Sequence, residues 1–115
     1  MGDIIKIKEN REFQNIYRKG RYAVSRALAM YMLPNYSQIN RIGITASKKY
    51  GKSVKRNRIK RLILESYRSI QDNLKTGYDF VIVARKTDGS IEPDFHTIYK
   101  ELNYLAKKLN ILIRK

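Results

Sequence analysis

Apolar residues recur at helical spacing in three segments of the chain. The first is a short predicted helix over residues 11–19, whose shared face carries Phe13, Ile16 and Tyr17. Gly20 follows this segment and is expected to end the helix in a left-handed conformation, which glycine adopts without steric cost.

Two longer apolar stripes indicate a second and a third helix. The second follows Ser53, a candidate N-cap, and the third begins at Pro93-Asp94. The stripe of the second helix consists of Ile59, Leu62, Ile63, Tyr67 and Ile70, and that of the third consists of Phe95, Ile98, Tyr99, Leu102, Leu105, Ala106 and Leu109. A helix with one apolar stripe buries it against another element, so both helices are expected to pack on a sheet.

Three other segments have the composition of strands. Tyr22–Leu33 predicts one strand, and Ile42–Ala46 predicts a second that pairs with it across the polar connection at residues 35–41. Tyr78–Ala84 is a continuous apolar run typical of a strand that is buried on both faces. Asp88-Gly89 then marks a turn.

The order of these elements, α-β-β-α-β-α, predicts an α+β chain with a mixed sheet and about three helices. At 115 residues the chain has the length of one ordinary domain, and a division in two would leave each half too little core to fold. It contains no internal repeat and no low-complexity linker. We therefore interpret residues 1–115 as a single domain.

The charge balance narrows the choice of partner. The chain has 25 Lys and Arg against 10 Asp and Glu, a formal net charge of +15, which indicates a polyanion such as nucleic acid. No apolar run approaches the roughly 18 residues of a membrane-spanning helix, so no membrane partner is expected. The absence of cysteine excludes thiolate metal sites and fits a cytoplasmic location.

The positive charge is concentrated in and before the second helix. Ten basic residues lie between Arg41 and Arg68, where Glu65 is the only acid. An ordinary solvated helix face is the alternative interpretation, but such a face normally mixes signs because like charges three or four residues apart repel. We therefore predict a phosphate-binding surface that consists of Lys48, Lys49, Lys52, Lys55, Arg56, Asn57, Arg58, Lys60, Arg61 and Arg68.

Four segments resemble one known family. Residues 51–68, GKSVKRNRIKRLILESYR, resemble the Arg-Asn-Arg signature region of the bacterial ribonuclease P protein subunit. The segments NREFQNIYRKG at residues 10–20, RIGITASKKYG at 41–51 and DFVIVAR at 79–85 match its opening helix, second strand with the following loop, and third strand. Their order and spacing also fit, so the resemblance covers most of the chain.

The resemblance implies an α/β sandwich with a four-stranded mixed sheet, similar to a ribosomal-protein domain. It also implies a left-handed β-α-β crossover through the signature helix, whereas the general rule for such units is a right-handed crossover. The fourth strand is expected near Tyr31–Ser37 or Thr87–Glu92.

For function, the resemblance implies a ribonucleoprotein in which a catalytic RNA cleaves precursor tRNA, with Mg²⁺ bound mainly by that RNA. The protein would contact the catalytic RNA and the single-stranded 5′ leader of the precursor tRNA. Phe13, Tyr17 and Tyr31 match the family's leader-binding cleft, where rings stack on unpaired bases. Without the resemblance, Phe13 and Tyr17 are better interpreted as the core-facing stripe of the first helix.

The chain itself offers little for catalysis, since it has one histidine, His96, among charged neighbours. Glu92 and Asp94 stand at a helix start, where capping explains them best. We therefore predict no catalytic residue and no metal site in the protein. A structural, ribosomal-type RNA-binding protein is the alternative function, and a DNA-binding domain that uses Arg58, Arg61 and Arg68 is a third, although no DNA partner is expected.

Overall fold

The computed structural model describes residues 3–87 and 92–113. In chain order its elements are β1 (Ile5–Lys6), α1 (Asn10–Lys19), β2 (Arg21–Val24), β3 (Leu28–Pro34), β4 (Arg41–Ala46), α2 (Ser53–Ile70), β5 (Tyr78–Ala84) and α3 (Phe95–Lys108). Single 3₁₀ turns lie at Lys48–Tyr50 and Gln71–Asn73. The predicted α+β class with three helices is therefore confirmed for the described residues.

The strands form one mixed sheet in the order β1-β4-β5-β3-β2. β4 runs parallel to both β1 and β5, whereas β3 runs antiparallel to β5 and to β2. Phe80, Val81 and Ile82 of the central strand are fully buried, which confirms the prediction of a strand covered on both faces. Within residues 3–87 and 92–113 the sheet has five strands, so the expected number of four is wrong.

The predicted strand Tyr22–Leu33 is in fact a hairpin of β2 and β3. The chain reverses between them, where the Ser25 backbone N–H donates to the Leu28 carbonyl at 2.8 Å. The Glu101 carboxylate of α3 accepts from the Ala27 backbone N–H at 2.8 Å and from the Ser25 hydroxyl. Because a residue more than 70 positions away completes this turn, the local sequence shows no turn signal.

The positions that were expected to hold the fourth strand also differ in the structure. Tyr31 to Pro34 belong to β3, residues 36 and 37 lie in a bend after it, and Thr87 lies in no strand. The remaining candidate positions, together with the predicted Asp88-Gly89 turn, include residues 88–91, which lie outside the described residues.

The predicted pairing of the second strand with the first is wrong, because β5 lies between β4 and β3. The short polar connection at residues 35–41 would favour an antiparallel hairpin of β3 and β4. However, β5 is apolar on both faces, and such a strand is shielded from water only in the middle of a sheet. β5 therefore takes the central position, and α2 connects β4 to it as a parallel β-α-β unit.

Two helix boundaries differ from the predicted chemistry. Gly20 has φ −78° and is extended rather than left-handed; a Cβ there would lie 2.6 Å from the Ile16 carbonyl oxygen and 2.7 Å from that of Met32. Glycine is therefore needed for close backbone approach. Ser53 is the first residue of α2 and not its N-cap, since Lys52 holds that position without a side-chain cap.

The third helix begins as predicted. The Asp94 carboxylate accepts from the Thr97 backbone N–H at 2.9 Å, and this hydrogen bond lowers the pKa of Asp94. Most of the predicted α3 stripe is buried, although Phe95 and Tyr99 lie at its border, where their rings stack 5.9 Å apart.

Alternating side chains of β3 and β5 divide the interior into two layers. On one side, here called the packed face, Met30, Met32, Phe80 and Ile82 are sealed beneath α2 and α3. On the opposite side, the open face, the sheet residues Tyr31, Leu33, Val81 and Val83 face α1. These two faces place the candidate site.

Candidate nucleic-acid interface

A cluster of four rings lies on the open face. Tyr17 of α1 meets Tyr31 of β3 edge to face at 5.0 Å, and Phe13 lies 6.5 Å from Tyr17 along the helix. Tyr22 of β2 stacks on the other side of Tyr31 at 5.4 Å with 28° between the planes. The structure thus brings the three predicted rings together and adds a fourth, and we call these four residues the aromatic cluster.

The cluster is half-exposed because α1 is too short to cover the whole open face. Ile16 and Val81 seal the centre of the contact, whereas Phe13, Tyr17 and Tyr31 are only half-buried. The two interpretations of the α1 rings are therefore compatible, because each ring packs on the sheet and still presents part of its surface. Such amphipathic placement is typical of tyrosine, which keeps its hydroxyl in water.

Sequence reasoning missed Tyr22, which is 62% exposed. It lies directly opposite Tyr31 in the β2–β3 register, and cross-strand partners on one face are in contact distance. The sequence contains the two tyrosines nine residues apart, but their contact can be predicted only once the hairpin between them is known.

The basic segment forms a second surface on α2 and the loop before it. Nine of the ten predicted phosphate-binding residues are exposed: Lys48, Lys49, Lys52, Lys55, Asn57, Arg58, Lys60, Arg61 and Arg68. The tenth, Arg56, is half-buried and donates to the Gly51 carbonyl at 2.8 Å. Arg56 therefore holds the loop against the helix, so that its neighbours are presented together.

Glu65 lies on α2 itself, but Glu92 is the one acid of the described residues that forms ion pairs with this basic surface. Glu92 lies 3.1 Å from the Arg58 guanidinium and 3.7 Å from the Lys55 ammonium, so the expectation that Glu92 caps α3 is wrong. Burial, and then the charge of Glu92, raises the pKa of Tyr50 in the preceding loop. Within the described residues, the other lysines and arginines of the surface have no acidic partner. The surface remains strongly positive.

A group of ion pairs around Arg41 joins α1 to the sheet. Arg41 donates to both carboxylate oxygens of Asp79, at 2.9 and 2.7 Å, and its remaining nitrogen lies 3.0 Å from Glu12 of α1. Asn35 also donates to Asp79 at 2.9 Å. The hydrogen bonds to Asp79 and Glu12 raise the pKa of Arg41 despite partial burial. Arg41 is therefore a positioning residue for α1 and its rings, and is not a free cation.

His96 and the acidic residues do not form a metal-binding group in the described part of the chain. His96 is exposed on α3, and no group of three or more His, Asp or Glu in residues 3–87 and 92–113 could hold a metal ion. Among the same residues, no helix is both long and apolar enough to cross a membrane. The site therefore consists of a positive helix surface and an aromatic cluster.

Comparison with known proteins shows which family the chain belongs to. A family model described as "Ribonuclease P" matches residues 1–110. The chain belongs to the ribonuclease P protein family. The family resemblance of the four segments is thereby confirmed.

Relatives of similar length support the assignment. The ribonuclease P protein component of Caldanaerobacter subterraneus subsp. tengcongensis is 47% identical over 106 residues, which cover 91% of this chain and 89% of that protein. The corresponding protein of Clostridium botulinum strain Langeland is 47% identical over 107 residues, covering 92% and 95%.

Solved structures agree with the fold. The RNase P protein of Staphylococcus aureus superposes with a TM-score of 0.83 at 30% identity, covering 96% of this chain and 99% of that one. The RNase P protein of Thermotoga maritima superposes with a TM-score of 0.81 at 27% identity, covering 90% and 96%. The mixed sheet with three helices is therefore the fold of ribonuclease P proteins.

Proposed function

We propose that this chain is the protein subunit of ribonuclease P, and that it binds both the catalytic RNA and the 5′ leader of precursor tRNA. The observation that carries the proposal is the coexistence, on a ribonuclease P fold, of a positive helix surface and a half-exposed aromatic cluster. The first suits sugar-phosphate backbone and the second suits unpaired bases. The chain would thereby assist endonucleolytic removal of the leader, which gives the mature tRNA 5′ end.

The two surfaces have different roles in this proposal. The exposed lysines and arginines of α2 and its preceding loop clamp phosphates of the catalytic RNA, where arginine adds bidentate hydrogen bonds to its charge. Phe13, Tyr17, Tyr22 and Tyr31 stack on leader bases, at about 1 to 3 kcal/mol per base. Because every base has a π-face, the cluster tolerates different leader sequences.

We propose that the RNA subunit performs the cleavage and holds most of the Mg²⁺, which would supply the activation of water and the stabilisation of developing negative charge. Three carboxylates of the protein support this division because they already have structural partners. Asp79 and Glu12 bind Arg41, and Glu101 completes the β2–β3 turn. Asn57 is exposed on α2 and offers a neutral oxygen ligand, but one amide does not make a metal site.

The family resemblance also supports finer statements about the protein. We infer that the β4-α2-β5 crossover is left-handed, that the sandwich is ribosomal-protein-like, and that residues 1–115 act as one RNA-binding domain. We also infer a cytoplasmic location, where precursor tRNA is processed.

The proposal is tested by mixing the purified chain with the catalytic RNA and a precursor tRNA at low Mg²⁺. The expected result is faster cleavage at the 5′ end of the mature tRNA than with the RNA alone, because added cations reduce repulsion between the two RNAs. RNA binding without any stimulation would instead identify a structural, ribosomal-type RNA-binding protein.

Affinity measurements separate RNA from DNA recognition. We expect the chain to bind a single-stranded leader RNA more tightly than duplex DNA at matched salt concentration, since only the single strand exposes bases to the aromatic cluster. Equal affinities would contradict the role of the cluster and favour a DNA-binding domain.

A further inference from the structure

A single carboxylate bridges two cations of the α2 surface. One oxygen of Glu92, Oε1, lies 3.1 Å from Nη1 of Arg58, and the other, Oε2, lies 3.7 Å from Nζ of Lys55. The two cations stand three residues apart on α2, where like charges repel each other. The carboxylate therefore relieves this repulsion in the free protein.

The start of α3 holds Glu92 in this position. Pro93 follows it with a fixed φ, and the N-cap Asp94 anchors the first turn of the helix. The Glu92 side chain is 33% exposed, against 51% for Arg58 and 58% for Lys55. The carboxylate is thus tethered beside the two cations at a high effective concentration, while the cations remain accessible from solution.

The bridging carboxylate resembles an RNA phosphate in its chemistry. A carboxylate and a phosphodiester each carry one negative charge and present two oxygens, and a guanidinium binds both in the same forked geometry. Two anions held by the same pair of cations would repel each other at contact distance. A phosphate can therefore bind between Lys55 and Arg58 only if Glu92 leaves them.

The charge of Glu92 also reaches the loop before α2. It adds to the effect of burial in raising the pKa of Tyr50, whereas the charge of Arg58 acts in the opposite direction. Tyr50, Arg58 and Glu92 are therefore close enough to share one electrostatic environment. The carboxylate lies where the loop and the helix of the basic surface meet.

We propose that Glu92 is an internal competitor for RNA phosphate, which occupies Lys55 and Arg58 in the free protein and leaves them when the catalytic RNA binds. The inference rests on the proposed function and adds a regulation of the same surface. Binding of RNA then exchanges one set of ion pairs for another. Lys55 and Arg58 accordingly contribute less to the affinity than two free cations would, and the contact is easier to reverse.

The affinity of the full chain for the catalytic RNA, measured at low salt, tests this role. Glu92→Gln frees both cations, and we expect roughly three- to fivefold tighter binding, the range given by exposed ion pairs. The control is Glu65→Gln on α2, which changes the net charge equally but breaks no ion pair in residues 3–87 and 92–113. It should bind within about twofold of the wild type. Equal affinities of the two variants would overturn the inference.

A second variant separates contact from charge. Glu92→Asp keeps the negative charge but withdraws the carboxylate by one methylene, so that it no longer spans both cations. We expect this variant to bind the catalytic RNA more tightly than the wild type, although the net charge is unchanged. Wild-type affinity of Glu92→Asp would show that the carboxylate acts by charge at a distance, which contradicts direct competition.

A mutant cycle identifies the cations for which Glu92 competes. In a chain with Lys55→Ala and Arg58→Ala, adding Glu92→Gln should change the affinity no more than Glu65→Gln does, because no cation is left to release. A gain that persists in this background would overturn the inference. Circular dichroism establishes that every variant is folded.

The wild type distinguishes failure of this inference from failure of the proposed function. A wild-type chain that does not bind the catalytic RNA would contradict the proposed function and the competition together. A wild type that binds, with Glu92→Gln of equal affinity, would overturn the competition alone.

Discussion

The two faces of the central sheet are formed by the same strands but differ in how far their side chains are buried. On the packed face, α2 and α3 exclude water completely from Met30, Phe80 and Ile82. On the open face, the ten-residue helix α1 covers only the centre, so Tyr31 and Val83, their neighbours in the same strands, stay half-exposed. One face therefore provides most of the apolar burial, and the other keeps rings available for a ligand.

This difference explains how a small basic protein can expose aromatic side chains without losing its fold. Burial of apolar area is the main source of stability, and β5 obtains it chiefly from the packed face. The open face needs only enough contact to hold α1, and the partly exposed Arg41–Glu12 ion pair, whose arginine is held by Asp79, supplies an additional, directional attachment. Mutations on the two faces should therefore have separable effects.

The largest expected effect is that of Phe80→Ala on the packed face. Because the ring is fully buried, its removal leaves a cavity and should lower the free energy of unfolding by about 3 to 5 kcal/mol. The matched control in the same strand, Val83→Ala on the open face, should lower it by about 1 kcal/mol. Urea denaturation measures both values. Equal losses would show that the two faces contribute alike.

The next effect concerns the Arg41–Asp79 pair, which holds the arginine that contacts α1. Arg41→Met leaves the buried Asp79 carboxylate with Asn35 as its remaining side-chain partner in the described structure, and we expect a loss of about 3 kcal/mol. The double variant Arg41→Met with Asp79→Asn should be less destabilised than the sum of the two single variants, because no buried charge remains. Additive losses in a double-mutant cycle would contradict the coupling.

On the open face, Tyr22→Ala should affect binding more than stability. Tyr22 is largely exposed and stacks on Tyr31, so we expect roughly tenfold weaker binding of leader RNA and a stability change below about 1 kcal/mol. Tyr104→Ala, at an exposed tyrosine of α3, is the control and should bind leader RNA as the wild type does. Fluorescence anisotropy with a labelled leader measures the affinities, and similar values for both variants would place the leader elsewhere.

A smaller expected effect is a pH dependence of stability that comes from Tyr67 on the packed face. Burial raises the pKa of Tyr67 to about 12, above its ordinary value of 10.0. The neutral phenol is therefore favoured in the folded state. Its contribution to the free energy of unfolding is complete below pH 10 and is lost as the pH rises toward 12. At pH 11 the wild type should have lost about 1 kcal/mol relative to Tyr67→Phe, compared with pH 8. A constant difference between the two proteins across this range would contradict the burial of the phenol.

Local patterns were sufficient to predict the helices and the central strand. The α2 stripe at Ile59 and Ile63, the Asp94 cap and the apolar run of β5 are set by residues close in sequence, and the structure has them as predicted. Their stripes and caps act within a few turns, so the signal is complete in the segment itself.

Features that depend on distant residues were not predicted. The turn between β2 and β3 requires Glu101 from α3, so the hairpin looked like one strand, and Tyr22 was therefore not placed beside Tyr31. Gly20 is needed because Met32 of a neighbouring strand approaches it, and this contact has no local signature. Glu92 likewise pairs with Arg58, which is 34 positions away, instead of acting as a cap.

The central claim is that phosphates of the catalytic RNA lie against the exposed face of α2. The most direct test is the salt dependence of the affinity for that RNA, measured for the wild type and for Arg58→Ala with Arg61→Ala. The account predicts that the double variant binds more weakly and that its log–log slope is flatter by roughly 0.7 to 0.9 per lost phosphate contact. An unchanged slope would contradict the assigned role of these two arginines.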